Sequence, residues 1–147
     1  FCQESTRYCD YGDGHVTFII PHWIDIPEGI YKSEQDILDV TMKDSRGLVY
    51  SPEVVWAISM LDSEFAYATL RKNYSWIPGE ARSVLPNSLK TEIFVTANLR
   101  EWRHIFKLRA IGTTGVSHSQ MSELMISLLK EVKELIPVIF DDLEIKE

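Results

Sequence analysis

The sequence predicts an α+β fold. Two segments, HVTFIIP and LKTEIFVTA, are rich in β-branched and aromatic residues and read as strands, while three others repeat apolar residues at helical spacing. No internal repeat or low-complexity stretch interrupts them. The 147 residues suit a single domain, 1–147, that buries roughly two-thirds of its unfolded surface.

The chain opens on a polar run, FCQESTRYCDYG, in which Gln3, Glu4, Ser5, Thr6 and Arg7 carry donors and acceptors on successive residues. HVTFIIP follows as a strand ended by Pro21, and positions 22–50 read as irregular, with turn signals at IPEG and DSRG. SPEVVWAISMLDSEFAYATLRKNY is a helix. Ser51 caps it, Pro52 suits its first position, and Val54, Ile58, Leu61, Phe65 and Ala68 form one face. PGEARSVLP is a short helix that Pro86 stops, and LKTEIFVTA is the second strand. NLREWRHIFKLR returns to helical spacing through Leu99, Trp102, Ile105, Phe106 and Leu108, with Asn98 and Glu101 as a capping box. GTTGVSHS is a loop whose Ser117, with Gln120, repeats the capping pattern. Met121, Leu124, Met125, Leu128, Leu129, Val132 and Leu135 then form an amphipathic stripe, core or subunit contact, that ends before Pro137.

Composition narrows the function. Hydrophobic residues make up 45% and charged residues 25%, which excludes wholesale disorder. No apolar run approaches the roughly 18 residues of a membrane span. A net charge of −7 argues against a general nucleic-acid binder, whose affinity comes from clustered Lys and Arg. The charge is uneven, however. Arg100, Arg103, Lys107 and Arg109 form a basic island around Glu101, while the tail DDLEIKE is acidic. An acidic chain with one basic island suits a small anionic ligand. Cys2 and Cys9 are too few for a disulfide framework and read as free thiols of a reducing, cytoplasmic environment.

Three stretches hold polar groups beyond what structure alone demands. In an extended opening run, Ser5 and Arg7 would share a face with Gln3, and a hydroxyl, an amide and a guanidinium together suit a phosphate. An edge strand with a solvated polar face explains the same residues. Arg82 sits in an otherwise mostly apolar short helix, where a surface ion pair is the competing explanation. Arg109 follows Leu108 where its helix is expected to end, and the helix dipole alone favours a cation there. A solvated face accounts for Arg103 and Lys107. Ser5 has no histidine in its element to serve as base, and His15, His22, His104 and His118 lack metal-ligand spacing, so no metal site is expected. Neither a Walker loop nor GxGxxG is present.

Taken together and in order, QESTRY, PGEARSVLP, NLREWRHIFKLR and SHSQMSEL resemble the flavin-dependent thymidylate synthases across nearly the whole chain. That family's signature begins with Arg-His-Arg and ends in Ser-x-Arg-Tyr. STRY matches the ending, so the resemblance implies that Arg-His-Arg lies just before Phe1 and that the chain is the later two-thirds of such an enzyme.

The resemblance implies a central, mostly antiparallel sheet flanked by helices in an interwoven homotetramer, with active sites built by several subunits. It implies reductive methylation of dUMP to dTMP, with methylenetetrahydrofolate as carbon donor and NADPH-reduced FAD as hydride source. No cysteine attacks the pyrimidine in that chemistry, so Cys2 and Cys9 need no catalytic role. Gln3, Glu4, Ser5, Thr6 and Arg7 match the family's dUMP-binding run. Arg82 matches a phosphate-binding arginine donated by a neighbouring subunit. Gln3, Asn98, Leu99, Arg100 and His104 match FAD-contacting positions. Arg109 matches the catalytic arginine that grips the uracil and favours its N3-deprotonated form. The chain departs from the family at Gln3, where many members have Glu, at His104, which replaces a common Asn, and in the longer loop AIGTTGV. The alternative is an inactive fragment or degenerate relative that binds nucleotide without catalysis. An acidic helical scaffold, with all these arginines on its surface, is a third reading.

Overall fold

The computed structural model describes residues 1–12, 16–41 and 51–145, so His15 and the turn expected at DSRG lie outside the described residues. Contacts within the chain divide it into two compact units, Phe1–Phe94 and Val95–Glu147.

The first unit holds a small antiparallel sheet. Strand β1 (Cys2–Gln3) pairs with β2 (Ile93–Phe94), Cys2 opposite Phe94 and Gln3 opposite Ile93. The Glu4 N–H donates to the Glu92 carbonyl at 2.8 Å and carries the pairing one step further. Both expected strands are therefore shorter than their composition suggests. LKTEIFVTA forms a strand only over Ile93–Phe94, and the described part of HVTFIIP makes a single bridge, from Phe18 to Leu89 at the start of that same segment. A strand forms only where another backbone hydrogen-bonds to it, and β-branched composition does not supply that partner.

Helices dominate the rest of this unit. The stretch read as irregular contains a helix, α1 (Glu34–Thr41). Its start is fixed by a reciprocal pair: the Ser33 hydroxyl accepts from the Asp36 N–H at 3.2 Å, and the Asp36 carboxylate accepts from the Ser33 N–H at 3.0 Å. Helix α2 (Pro52–Asn73) begins as expected, with Ser51 Oγ accepting from the Val54 N–H at 3.4 Å and Pro52 at the first position. Ile26, Ile37, Val54 and Ala57 form the core where α1 meets α2, and Ile58 and Leu61 pack against it. The expected face drifts further along. Phe65 is 74% exposed, and Tyr67 is fully buried instead. The reason is that α1 covers only part of this long helix, whose far half meets the segment after the opening run. There Tyr11 packs edge-on against Tyr67 with ring centroids 5.8 Å apart. Helix α3 (Pro78–Ala81) runs into a 3₁₀ turn, Arg82–Val84, and Leu85 is extended ahead of Pro86, as the residue before a proline prefers.

The second unit is helical. In α4 (Leu99–Phe106), Asn98 Oδ1 accepts from the Glu101 N–H at 2.9 Å. The helix does not stop at Leu108. It widens into a π-turn over Lys107–Ile111, closed by Gly112 in the left-handed region at φ 72°. Helix α5 (Ser119–Leu135) starts after His118, with no side-chain cap. The expected Ser117 cap is absent because that hydroxyl donates to the Arg109 carbonyl instead, at 2.8 Å. Leu129 is fully buried with Phe106, Phe140, Ala110 and Leu143, and Met125, Leu128 and Val132 pack against them. The ends of the predicted stripe, Met121, Leu124 and Leu135, are exposed. Pro137 ends that stripe and opens α6 (Pro137–Phe140).

Arg103 is not a solvated-face residue. Its guanidinium donates to both carboxylate oxygens of Asp142, at 2.7 and 2.6 Å, and to the Ile139 carbonyl, tying α4 to the segment after α6. That contact holds the Asp142 carboxyl down at about 2.

Candidate active site

The opening run does not continue as the extended strand its alternation suggested. The pairing of β1 gives way at Ser5 to a turn, in which the Ser5 carbonyl accepts from the Tyr8 N–H at 3.0 Å and the Cys9 N–H at 3.3 Å. This turn faces the α3 region of the same unit. Between them lies a cleft of about 670 Å³ lined by Gln3, Glu4, Ser5 and Thr6 on one side and by Arg82 and Ser83 on the other, with Asn87 and Thr91 completing it.

Arg82 crosses the cleft. Its Nη1 donates to Thr6 Oγ1 at 2.8 Å, while Nε donates to the Gly79 carbonyl at 3.3 Å. The 3₁₀ turn places it there, since α3 starts at Pro78 and the chain must tighten before Pro86. The resemblance assigns Arg82 to a neighbouring subunit's site, and within one chain it already reaches the opening run. Arg7 is not among the cleft's lining residues. Its Nε donates to Ser5 Oγ at 3.4 Å, and its guanidinium lies 5.4 Å from the centre of the Tyr8 ring. It therefore braces the serine from behind.

The turn is anchored on its far side. Asp10 pairs with Arg71 of α2 and accepts from the Gly12 N–H at 2.9 Å. The Arg71 guanidinium, then that backbone donor, holds the Asp10 carboxyl below its ordinary value. The Cys9 thiol donates to Glu4 Oε1 at 3.4 Å, and burial, then that carboxylate, pushes the thiol up. Burial and the neighbouring Cys9 raise the Tyr11 hydroxyl to about 12, so it is neutral at physiological pH. Cys2 and Cys9 are both free thiols.

The remaining predicted residues lie in the second unit. Asn98, Leu99, Arg100, His104 and Arg109 are all exposed. Arg100 and His104, four apart on α4, share one face of the helix. Arg109 projects from the middle of the π-turn, and among the described residues its guanidinium makes no hydrogen bond or ion pair. These side chains are available to a ligand, and Leu99 adds apolar surface beside them. An exposed amide, guanidinium and imidazole next to an apolar patch fit the phosphates and ring edges of a dinucleotide such as FAD.

Sequence reading missed Ser83, Asn87 and Thr91 as cleft residues. The turn signal at PNS after Pro86 was the available hint for Asn87, whereas Thr91 reaches the cleft only because β2 pairs with β1. The serines around Arg109 were missed as well, since nothing in their spacing links them to that carbonyl.

The profile of the family described as Thymidylate synthase complementing protein (Thy1) matches residues 1–138. A flavin-dependent thymidylate synthase of Corynebacterium aurimucosum is 32% identical over 145 residues, covering 99% of this chain and 53% of its own. One from Mycobacterium sp. (strain KMS) is 40% identical over 149 residues, covering 99% and 54%. One from Mycobacteroides abscessus is 43% identical over 65 residues, covering 44% and 25%. The chain spans about half the length of the first two. With the opening run, the Arg82 turn and the Arg109 helix all inside the matched span, the chain belongs to the thymidylate synthase complementing family, that of the flavin-dependent thymidylate synthases.

Proposed function

We propose that this chain forms the nucleotide-binding part of a cytoplasmic thymidylate synthase that methylates dUMP reductively to dTMP. The observation that carries the reading is the meeting of Arg82 with Ser5 and Thr6 across one cleft, at 2.8 Å from Nη1 to Thr6 Oγ1. A phosphate entering there would replace the Thr6 contact with charge-assisted bonds from the guanidinium and accept from both hydroxyls. Gln3 and Glu4 would accept from the ribose hydroxyl or bridging water. Glu4 also repels a dianion, so the Cys9 thiol that binds its carboxylate has a part in keeping it aside.

Arg109 is the proposed catalytic group. Held over the uracil, its guanidinium would favour the N3-deprotonated base and raise electron density at C5, the carbon to be methylated. Loss of one such donor at a developing anion costs about 2.7–4 kcal/mol. Asn98, Leu99, Arg100 and His104, with Gln3, would hold FAD. When bound and reduced by NADPH, FAD would supply the hydride for a carbon that comes from methylenetetrahydrofolate. The assembly is a homotetramer in which a central sheet is completed and each active site draws on more than one copy.

The test is dTMP formation by the purified full polypeptide with dUMP, methylenetetrahydrofolate, NADPH and FAD, compared with its Arg109→Ala variant. Turnover by the parent and a loss of about 10²–10³-fold in the variant are expected. A protein that binds dUMP but shows no flavin absorption band and makes no dTMP would overturn the enzymatic reading.

A further inference from the structure

Arg109 has no side-chain partner among the described residues, so what this chain anchors is its backbone. That backbone is unusually constrained. At a helix end the last carbonyls lack intrahelical donors, and in the π-turn two of them are taken up by separate devices. The Lys107 carbonyl accepts from the Gly112 N–H, from the Thr113 N–H at 3.0 Å and from Thr113 Oγ1 at 3.1 Å. The Arg109 carbonyl accepts from Ser117 Oγ at 2.8 Å, with Ser122 Oγ at 3.4 Å. The two serine hydroxyls are themselves in contact at 2.5 Å. Each hydroxyl has one proton, so if Ser117 spends its proton on the carbonyl at the shorter distance, Ser122 donates to Ser117.

The serines come from different places. Ser117 ends the loop after the π-turn, and Ser122 sits in the first turn of α5. The carbonyl of Arg109 is thereby fastened to a second helix, while Ala110 beside it is buried in the core with Phe106 and Leu129. A serine at either position is not needed to cap α5, whose start has no side-chain cap.

We propose that Ser117 and Ser122 are positioning residues for Arg109, a two-hydroxyl relay that fixes the peptide from which the guanidinium departs. This rests on the reading of Arg109 above. Without the relay that carbonyl loses its tie to α5 and the Arg109 peptide can tilt, and a misplacement of about 1 Å at a reacting group can cost on the order of 10²-fold in rate.

The experiment is a double-mutant cycle on the full polypeptide with its FAD, using Ser117→Ala, Arg109→Ala and the pair, with Ser117→Thr as the conservative variant. Turnover, dUMP affinity by equilibrium dialysis and thermal midpoint are read for each. Ser117→Ala should lower kcat/KM by about tenfold, Ser117→Thr should recover most of it, and Ser117→Ala should add nothing once Arg109 is alanine. A Ser117→Ala protein as active as its parent would overturn the proposal while leaving the role of Arg109 standing. So would an equal loss in both backgrounds, which marks an effect that bypasses Arg109. An Arg109→Ala protein with full activity would sink both readings together. Should Ser117→Ala fail to fold, Ser122→Ala removes only the outer hydroxyl and runs the same cycle.

Discussion

Replacing Arg82 with alanine separates a phosphate-binding residue from a surface arginine. The side chain is exposed, and its bonds to Thr6 and to the Gly79 carbonyl are exchanged readily for water. Such contacts contribute about 0–1 kcal/mol to stability, so the variant should fold. Binding is a different matter. A charge-assisted hydrogen bond contributes about 1.5–3 kcal/mol, and the open cleft places Arg82 toward the lower end of that range. The expected loss is about 10- to 30-fold in dUMP affinity, at 1.4 kcal/mol per factor of ten. Isothermal titration at fixed ionic strength measures it, with deoxyuridine as the control that lacks the phosphate. Arg82→Ala should weaken dUMP and leave deoxyuridine nearly unchanged, and Arg82→Lys should recover part of the loss, since an ammonium keeps the charge but lacks the planar fork that grips two phosphate oxygens side by side. Equal weakening of dUMP and deoxyuridine, or no change in either, would refute the argument.

The remaining predictions concern the second unit. Gly112→Ala places a Cβ at φ 72° and 3.0 Å from the Gly115 carbonyl oxygen, so the π-turn should lose about 1–2 kcal/mol in urea unfolding. The Asp142 carboxyl falls from its ordinary 3.8 to about 2 in the folded protein because Arg103 favours its charged form. Its contribution is therefore complete above pH about 4 and is lost as pH falls toward 2. The difference in unfolding midpoint between the parent and Asp142→Asn should be present at pH 6 and close by pH 2. Leu129→Ala empties a fully buried position beneath Phe106 and Phe140 and should cost about 2–5 kcal/mol by the same unfolding assay.

Where a feature depended on neighbouring residues, the sequence revealed it. Ser51 and Pro52 mark the start of α2, Pro86 stops the turn that carries Arg82, and Asn98 caps α4. Helix α1 was legible too, in the reciprocal Ser33 and Asp36, but only Ile37 of that helix is buried and its apolar pattern is faint. The strand at HVTFIIP failed because β structure needs a distant partner, and the described residues pair only at Phe18. Phe65 was misplaced because a long helix meets different neighbours along its length. For the site, residue types pointed to Arg82 and the opening run separately, and their meeting required the fold. The detour of Ser117 to the Arg109 carbonyl had no local signature.

The widened turn has a consequence for how this chain tolerates change in length. Each residue of a regular helix advances the next by about 100°, so the additional residue in each π-type ring displaces everything after it around the axis. Deleting one position between Lys107 and Ile111 would let ordinary winding resume and swing the segment that follows by about that angle. A single-codon deletion here is thus a rotation as much as a shortening.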